Sequence, residues 1–410
     1  MRTLFVHQSF PAQYRHLAAA LAGRPGEEVV SLGERALAVV PGVRQHQYTA
    51  PAGAGLATHH YLRPLEAEIR RGQAVARAAL ALKAKGFLPD LICCHPGWGE
   101  GLFLRDVFPD ARLLYYFEFH SAAIGGDVGF ENAHPVTLDE AARLRIRNAN
   151  NLLCLEAADW CHTATHWQRS RFPPHAQARM SVVHEGVDTD QVRRSADARF
   201  TLRDGRVLTA ADEVVTYVAR GLEPYRGFPS FMRALPHILH HRPKARIVIV
   251  GEDAAHYGAG PPGGGTWRAL LMTELEGQID PARLHVMGRV SHEALIALFS
   301  ISSAHVYLTY PFILSWSLLE AMACACPIIA SATPPVAEVI RPGSNGWLVD
   351  FHAPDALAAA VIHALEHPKT AHEMGLTARA DVMRDYELRR VCLPAGLRLL
   401  AAVASGTARF

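Results

Sequence analysis

Residues 304–331 read Ala304-His305-Val306-Tyr307-Leu308, then Thr309-Tyr310-Pro311-Phe312-Ile313-Leu314-Ser315-Trp316-Ser317-Leu318-Leu319-Glu320-Ala321-Met322-Ala323, then Cys324-Ala325-Cys326-Pro327-Ile328-Ile329-Ala330-Ser331. The first piece is an apolar run of strand length. The second turns through Pro311 and opens a helix, and the third resumes a strand at Ile328. Glu320 is the only carboxylate of the segment, set among Leu318, Leu319, Met322 and Ala323. A strand, a loop, a short helix carrying one acid and another strand form a common ligand-site arrangement in open α/β sheets. The plainer alternative makes Glu320 a solvated helix residue.

The same alternation extends outward in both directions. Toward the N-terminus, strands are predicted at Val214–Val218, Arg246–Val250 and Leu284–Met287, with helices at Phe231–Ile238, Trp267–Leu275 and Glu293–Phe299 between them. Residues 188–212 are charged and weakly apolar and mark a boundary. Before it the pattern runs again: strands at Thr3–Val6, Glu28–Leu32, Asp90–Cys94, Leu113–Phe117, Trp160–Thr163 and Ser181–Val183, and helices at Gln13–Leu21, Ala74–Lys83 and Leu144–Ala157. Continuous apolar strands separated by helices indicate parallel sheets covered on both faces. The last 50 residues read as helices at Pro354–Glu366, His372–Tyr386 and Arg389–Ala402. The expected organisation is an N-terminal domain 1–188, a linker region 189–212, a C-terminal domain 213–385 and a helix in 386–410 that returns to the N-terminal domain or stands apart.

A chain of 410 residues, half of them hydrophobic, is long for one core and suits two domains. Lys and Arg number 41 against 39 Asp and Glu, so no global field draws nucleic acid, and no basic block with interleaved aromatics is present. Seven cysteines, an odd number lying mostly in apolar stretches, fit a reducing compartment. Met1–His7 enters a strand directly without a secretory apolar region, and no run reaches the length that spans a bilayer. A cytoplasmic protein is expected, with work at the inner face of the membrane as the variant. The 23 histidines form no spaced metal motif, so no metal is expected.

Arg220 and Arg226 lie in Tyr217-Val218-Ala219-Arg220-Gly221-Leu222-Glu223-Pro224-Tyr225-Arg226-Gly227-Phe228, which leaves a strand, turns and enters a helix. Two guanidiniums beside a helix N-terminus suit phosphate oxygens, above all those of a departing diphosphate. The alternative pairs Arg226 with Glu223 on the surface. Gly251 follows the next strand and permits close backbone approach. The glycines around 258–265 spell neither a dinucleotide fingerprint nor a nucleotide-triphosphate loop. In the first half, His95-Pro96-Gly97-Trp98-Gly99-Glu100 and Glu118-Phe119-His120 both stand just past strands, where ligands are lined. There His120, Glu118 and Glu100 are candidates for orienting hydroxyls or for acid–base work. His7 to Pro11 follows the first strand on the acceptor side.

These residues resemble the GT4 family of retaining glycosyltransferases. Leu319-Glu320-Ala321-Met322-Ala323 and the following Pro327–Ser331 match the second half of its donor motif, and Pro335–Ile340 and Gly343–Val349 continue it. Arg220 and Arg226 match its basic pair, and His184-Glu185-Gly186-Val187-Asp188 is similar to its Pro-Asn-Gly-Val-Asp turn. The resemblance implies the GT-B fold, two Rossmann-like parallel-sheet domains facing across a cleft, with C-terminal helices. It implies that Arg220 and Arg226 hold the donor diphosphate and that Glu320 bonds the nucleotide ribose. The loop through Phe312, Ile313, Leu314 and Ser315, with Gly251 nearby, would face the donor, and His120 or Glu118 the transferred sugar. One departure stands out: Phe312 occupies the place of the family's first Glu.

The resulting expectation is a metal-independent, retaining transfer of a sugar from a nucleotide-diphosphate sugar to a hydroxyl of a glycan, a lipid-linked sugar or a small molecule. No further cofactor is expected, and neither acceptor nor oligomeric state is legible. The alternatives are a non-catalytic sugar-nucleotide or glycan-binding protein, and a phosphorylase or hydrolase of the same fold.

Overall fold

The computed structural model describes residues 1–130 and 135–408. Residues 131–134 of the expected first domain and 409–410 of the expected C-terminal helix lie outside it. The polypeptide divides into two compact units, Met1–Gly186 with Arg389–Phe410, and Val187–Leu388.

The first unit is built on a parallel sheet of β1 (Arg2–Val6), β2 (Glu28–Gly33), β3 (Val43–Gln47), β4 (Leu91–Cys94), β5 (Arg112–Tyr116), β6 (Trp160–Thr163) and β7 (Met180–Val182), in the order β3-β2-β1-β4-β5-β6-β7. Because successive strand side chains point to opposite faces, each apolar run feeds two cores. Leu4, Val6, Ile92, Cys94, Leu113 and Tyr115 pack on one side with α2 (Arg63–Ala84). Phe5, Cys93, Leu114 and Tyr116 pack on the other, where α1 (Arg15–Ala22) and the C-terminal helix Leu393–Ala404 supply Leu17, Leu397 and Leu400. That helix therefore belongs to the first unit. The expected helix at 144–157 is two, α3 (Leu138–Arg147) and α4 (Ala149–Ala157). They meet at Asn148, whose amide is tied to both backbone groups of Ser121 (3.0 and 2.7 Å).

The second unit repeats the plan with β8 (Val214–Gly221), β9 (Arg246–Glu252), β10 (Leu284–Gly288), β11 (Ala304–Tyr307), β12 (Ile328–Ser331) and β13 (Trp347–Val349), all parallel, in the order β10-β9-β8-β11-β12-β13. Both sheets thus reverse strand order beside their first strand, the arrangement in which ligands bind past the carboxyl ends of the strands at the reversal. Tyr217 of β8 stacks on Phe231 of α5 (Phe228–His241) at 4.8 Å. On the opposite face α7 (His292–Ile301) and α8 (Trp316–Ala323) close the core, and α6 (Trp267–Glu274) lies between β9 and β10 in the chain. Helices α9 (Pro354–Glu366) and α10 (Pro368–Asp385) complete the unit.

The 189–212 stretch, expected as a linker, is a correction. It folds into the second unit through a hairpin of Phe200–Thr201 with Val207–Leu208, and Val192, Phe200, Leu202 and Leu208 are part of that unit's core. Its few apolar residues are spent on packing, so average polarity hid them. All seven cysteines are buried and unbridged. No helix among the described residues is long and apolar enough to cross a membrane.

Gly227, which caps α5, has φ of +67°, and a Cβ there would lie 2.4 Å from the Leu308 Cβ. Gly227→Ala is expected to lower the urea midpoint of the second unit, with a loss of at least about 1–2 kcal/mol from the left-handed backbone alone. An unchanged midpoint would show that the turn can refold around a side chain.

Candidate functional site

In the second unit, β8 delivers Arg220 and a one-turn helix at Pro224–Arg226 delivers the second guanidinium. Arg226 is only 4% exposed, and its Nη1 donates to Thr309 Oγ1 (2.9 Å), the Ile313 carbonyl (3.0 Å) and the Tyr307 hydroxyl (3.3 Å). Its guanidinium lies 5.2 Å from the Tyr257 ring centroid and 5.7 Å from that of Phe312. All these partners are neutral, and Arg226 has no ion pair among the described residues. The expected alternative, a surface pair with Glu223, is not what the chain does. Glu223 is fully buried, and its carboxylate accepts from the backbone N–H groups of His256 (3.0 Å), Tyr257 (3.0 and 3.2 Å) and Gly258 (2.8 Å). Glu223 therefore fixes the loop that carries Tyr257 over Arg226. Arg220 is exposed at the end of β8 and has no hydrogen bond or ion pair among the described residues.

The loop after β11 meets this cation. Phe312 stands edge-on to Tyr225 (5.5 Å) and Tyr257 (5.1 Å), and Tyr225 stacks on Tyr310 (4.5 Å). The Ser315 N–H donates to the Tyr307 hydroxyl (2.8 Å), so Tyr307 links the loop to Arg226. Ser315 caps α8, its hydroxyl accepting from the Ser317 N–H (3.4 Å), while Leu314 packs against the core. The N–H groups of Ile313 and Leu314 precede the helix without a backbone partner among the described residues, a donor set of the kind that receives anions. Gly251 lies on β9 where a Cβ would come within 2.7 Å of the Ala219 carbonyl, so it serves the close approach of β8 and β9. Glu320 projects from α8 and its Oε1 is 2.8 Å from Nε2 of His292, at the start of α7.

The structure thus brings Arg226, Phe312, Ile313 and Ser315 into one contact network, with Arg220 and Gly251 on the strands beside it. Glu320 is held in a separate pair. Tyr257, Thr309, Glu223 and His292 were missed from the sequence. Tyr257 and His292 stand in segments with no motif, and nothing short of the fold links Glu223 to residues 256–258.

Glu118 and His120 belong to the first unit, past β5. Gln13 Nε2 donates to Glu118 Oε1 (3.1 Å), and Nε2 of His95 lies 3.6 Å from Glu118 Oε2. His120 packs on Phe172 (5.4 Å), and burial, with Arg171 adding to it, keeps its imidazole below the ordinary range. Glu100 faces inward: it is fully buried, Tyr48 donates to its Oε1 (3.0 Å), and burial pushes its carboxyl upward. That removes it as a direct ligand group. No cluster of three or more His, Cys, Asp or Glu side chains among the described residues is placed to hold a metal ion.

Comparison with known proteins accords with this layout. Residues 25–192 match the model of the glycosyl transferase family 4 group, and residues 200–381 match that of glycosyl transferases group 1. The chain is 27% identical over 224 residues to D-inositol 3-phosphate glycosyltransferase of Streptomyces griseus, covering 51% of this chain and 46% of that protein. The enzyme of the same description from Mycobacterium avium is 31% identical over 194 residues, covering 47% and 42%. The chain therefore spans less than half the length of these curated relatives. Among solved structures, sucrose-phosphate synthase from Thermosynechococcus elongatus superposes with a TM-score of 0.73 at 19% identity, over 99% of this chain and 100% of that one. Anabaena HepE in complex with UDP-glucose gives 0.67 at 16%, over 99% and 100%. At such identity the likeness speaks to the fold, which is GT-B. Taken with the two sequence models, which between them span most of both units, this places the chain in glycosyltransferase family 4.

Proposed function

We propose that the protein transfers a sugar from a nucleotide-diphosphate sugar to a hydroxyl acceptor with retention of anomeric configuration. The observation that carries this reading is Arg226, a cation buried beside a helix start that forms no ion pair among the described residues. A buried guanidinium whose partners are all neutral is costly unless an anion completes it. A diphosphate does so, and most strongly as its bond to the sugar carbon breaks and charge gathers on the leaving oxygen. Arg220, exposed at the end of β8 and without an ion pair among the described residues, adds a second cation. Glu320 is the residue for the ribose hydroxyls, with His292 orienting its carboxylate. His120 or Glu118 in the first unit orients the sugar or its acceptor. The test is calorimetric titration with UDP and other nucleoside diphosphates, followed by NMR of products formed from nucleotide sugars. Tight nucleotide binding with no transfer to any acceptor would leave a binding protein instead.

Phe312 sharpens the reading. The Arg226 guanidinium carbon stands over its ring, 5.7 Å from the centroid, a cation–π contact worth about 0.5–2 kcal/mol. A carboxylate there would neutralise the cation. Phe312→Glu, although it restores the family's usual residue, is therefore expected to weaken UDP binding about tenfold. Equal or tighter binding would show that the ring is not what keeps Arg226 available.

A further inference from the structure

At the reversal point of the first sheet, β1 and β4 are neighbours, and each is followed at once by a histidine, His7 and His95. Both are 2% exposed, with ring centroids 5.1 Å apart, and His95 stacks on the half-exposed Trp98 at 4.6 Å. Nδ1 of His7 accepts from the Ser9 N–H (2.9 Å), and Nδ1 of His95 accepts from the Gly97 N–H (3.2 Å). An accepting Nδ1 carries no proton, so each ring is the neutral tautomer with its hydrogen on Nε2. Burial first, and His95 second, hold His7 down at about 3, with Gln13 acting against them. Neither Nε2 has a hydrogen-bond partner among the described residues. Two orphaned buried N–H groups side by side are rare enough to need an explanation.

Glu118, with 28% of its side chain exposed, closes the arrangement, its Oε2 3.6 Å from His95 Nε2. Two N–H donors and a carboxylate acceptor select the ligand by charge. An anion is repelled by Glu118, and a cation by the outward hydrogens of the imidazoles. A neutral hydroxyl answers both, donating to the carboxylate while accepting from an N–H. Gln13, a neutral side chain with both a donor and an acceptor, already lies across this place. Its Nε2 donates to Glu118 Oε1 (3.1 Å), and its side chain lies close enough to His7 to work against the lowering of that imidazole's pKa, so Gln13 spans the two groups a ligand would engage.

We propose that the carboxyl ends of β1, β4 and β5 form a hydroxyl-binding site for a neutral saccharide or polyol, which displaces Gln13, donates to Glu118 and accepts from His7 and His95. The half-exposed Trp98 supplies a flat apolar wall beside it. Resting on the transferase reading, this site names the acceptor class: an unphosphorylated, polyhydroxylated molecule.

The test uses the full-length protein without donor. Glucose, sucrose and mannitol, and glucose 6-phosphate beside them, are titrated by saturation-transfer NMR, and UDP affinity is measured separately by calorimetry. Neutral compounds are expected to bind, and glucose 6-phosphate more weakly than glucose. Glu118→Gln and His95→Gln should weaken the neutral compounds about 10- to 100-fold, the loss of a charge-assisted or buried hydrogen bond, with UDP affinity unchanged within about twofold. Gln13→Ala should tighten them, an outcome a merely structural cluster would not produce. Tighter binding of glucose 6-phosphate, no response to any neutral compound, or unaltered binding in Glu118→Gln overturns the proposal. Failure of UDP to bind would instead overturn the transferase reading, because that nucleotide is assigned to Arg226 in the other unit.

Discussion

Replacing Arg226 by methionine is expected to weaken UDP binding by at least about 100-fold while the melting temperature moves by no more than about 4 °C in either direction. The two effects separate because the cation does opposite things in the two states. In the free protein it is 4% exposed, and its guanidinium bonds the Tyr307 and Thr309 hydroxyls and the Ile313 carbonyl and lies against the rings of Tyr257 and Phe312, with no ion pair among the described residues. Removing a buried, unbalanced charge relieves desolvation, which offsets the three oxygens left without their donor. Methionine fills similar space and keeps a favourable contact with the two rings. In the nucleotide complex the same charge meets a diphosphate, where each charge-assisted bond contributes about 1.5–3 kcal/mol. Calorimetry of UDP binding and a thermal melt on the same preparation read both sides. Retained UDP affinity would remove Arg226 from the diphosphate site. A large fall in melting temperature would make it a structural hub.

That pairing explains which parts of the molecule could be read from the chain. Strands such as Val214–Val218 and Ile328–Ala330 are buried on both faces and announce themselves as unbroken apolar runs. The edge strands Val43–Gln47 and Trp347–Val349 did not: the first reads Val-Arg-Gln-His-Gln, has exposed residues, and adds to its backbone pairing with Glu28–Gly33 only the packing of Val43 and an ion pair of Arg44 with Glu28, none of which a run of polar residues announces. Arg226 could be picked out because its strand-to-helix turn holds Gly221, Pro224 and Gly227, and Ser315 because its loop resembles the family's donor loop; that the two serve one anion site is the proposal the UDP titration tests. Tyr257 was not, since its place over Arg226 depends on contacts between residues about thirty apart in the chain. The roles of His7 and His95 were half legible. Their positions after strands could be seen, but their orphaned Nε2 groups follow from Ser9 and Gly97, whose N–H groups set the tautomers.

The largest stability effect is expected at Glu223, a carboxylate that sequence alone would place on the surface. It is fully buried and gathers the N–H groups of His256, Tyr257 and Gly258, so Glu223→Ala leaves three backbone donors without an acceptor. Each orphaned buried donor costs about 1–3 kcal/mol, and partial hydration of the loop brings the sum to about 3–5 kcal/mol. For a unit of this size that lowers the melting temperature by roughly 6–20 °C. Glu223→Gln should fall between, because one amide oxygen still accepts while its NH₂ end confronts a backbone N–H. Both variants should also lose about tenfold in UDP affinity, since the loop that sets Tyr257 against Arg226 is released. Adding UDP should then raise the melting temperature of Glu223→Gln by less than it raises that of the unaltered protein, as mass action requires of a weaker ligand. If the melt falls but UDP affinity does not, the loop is needed for folding alone and Tyr257 has no part in presenting Arg226.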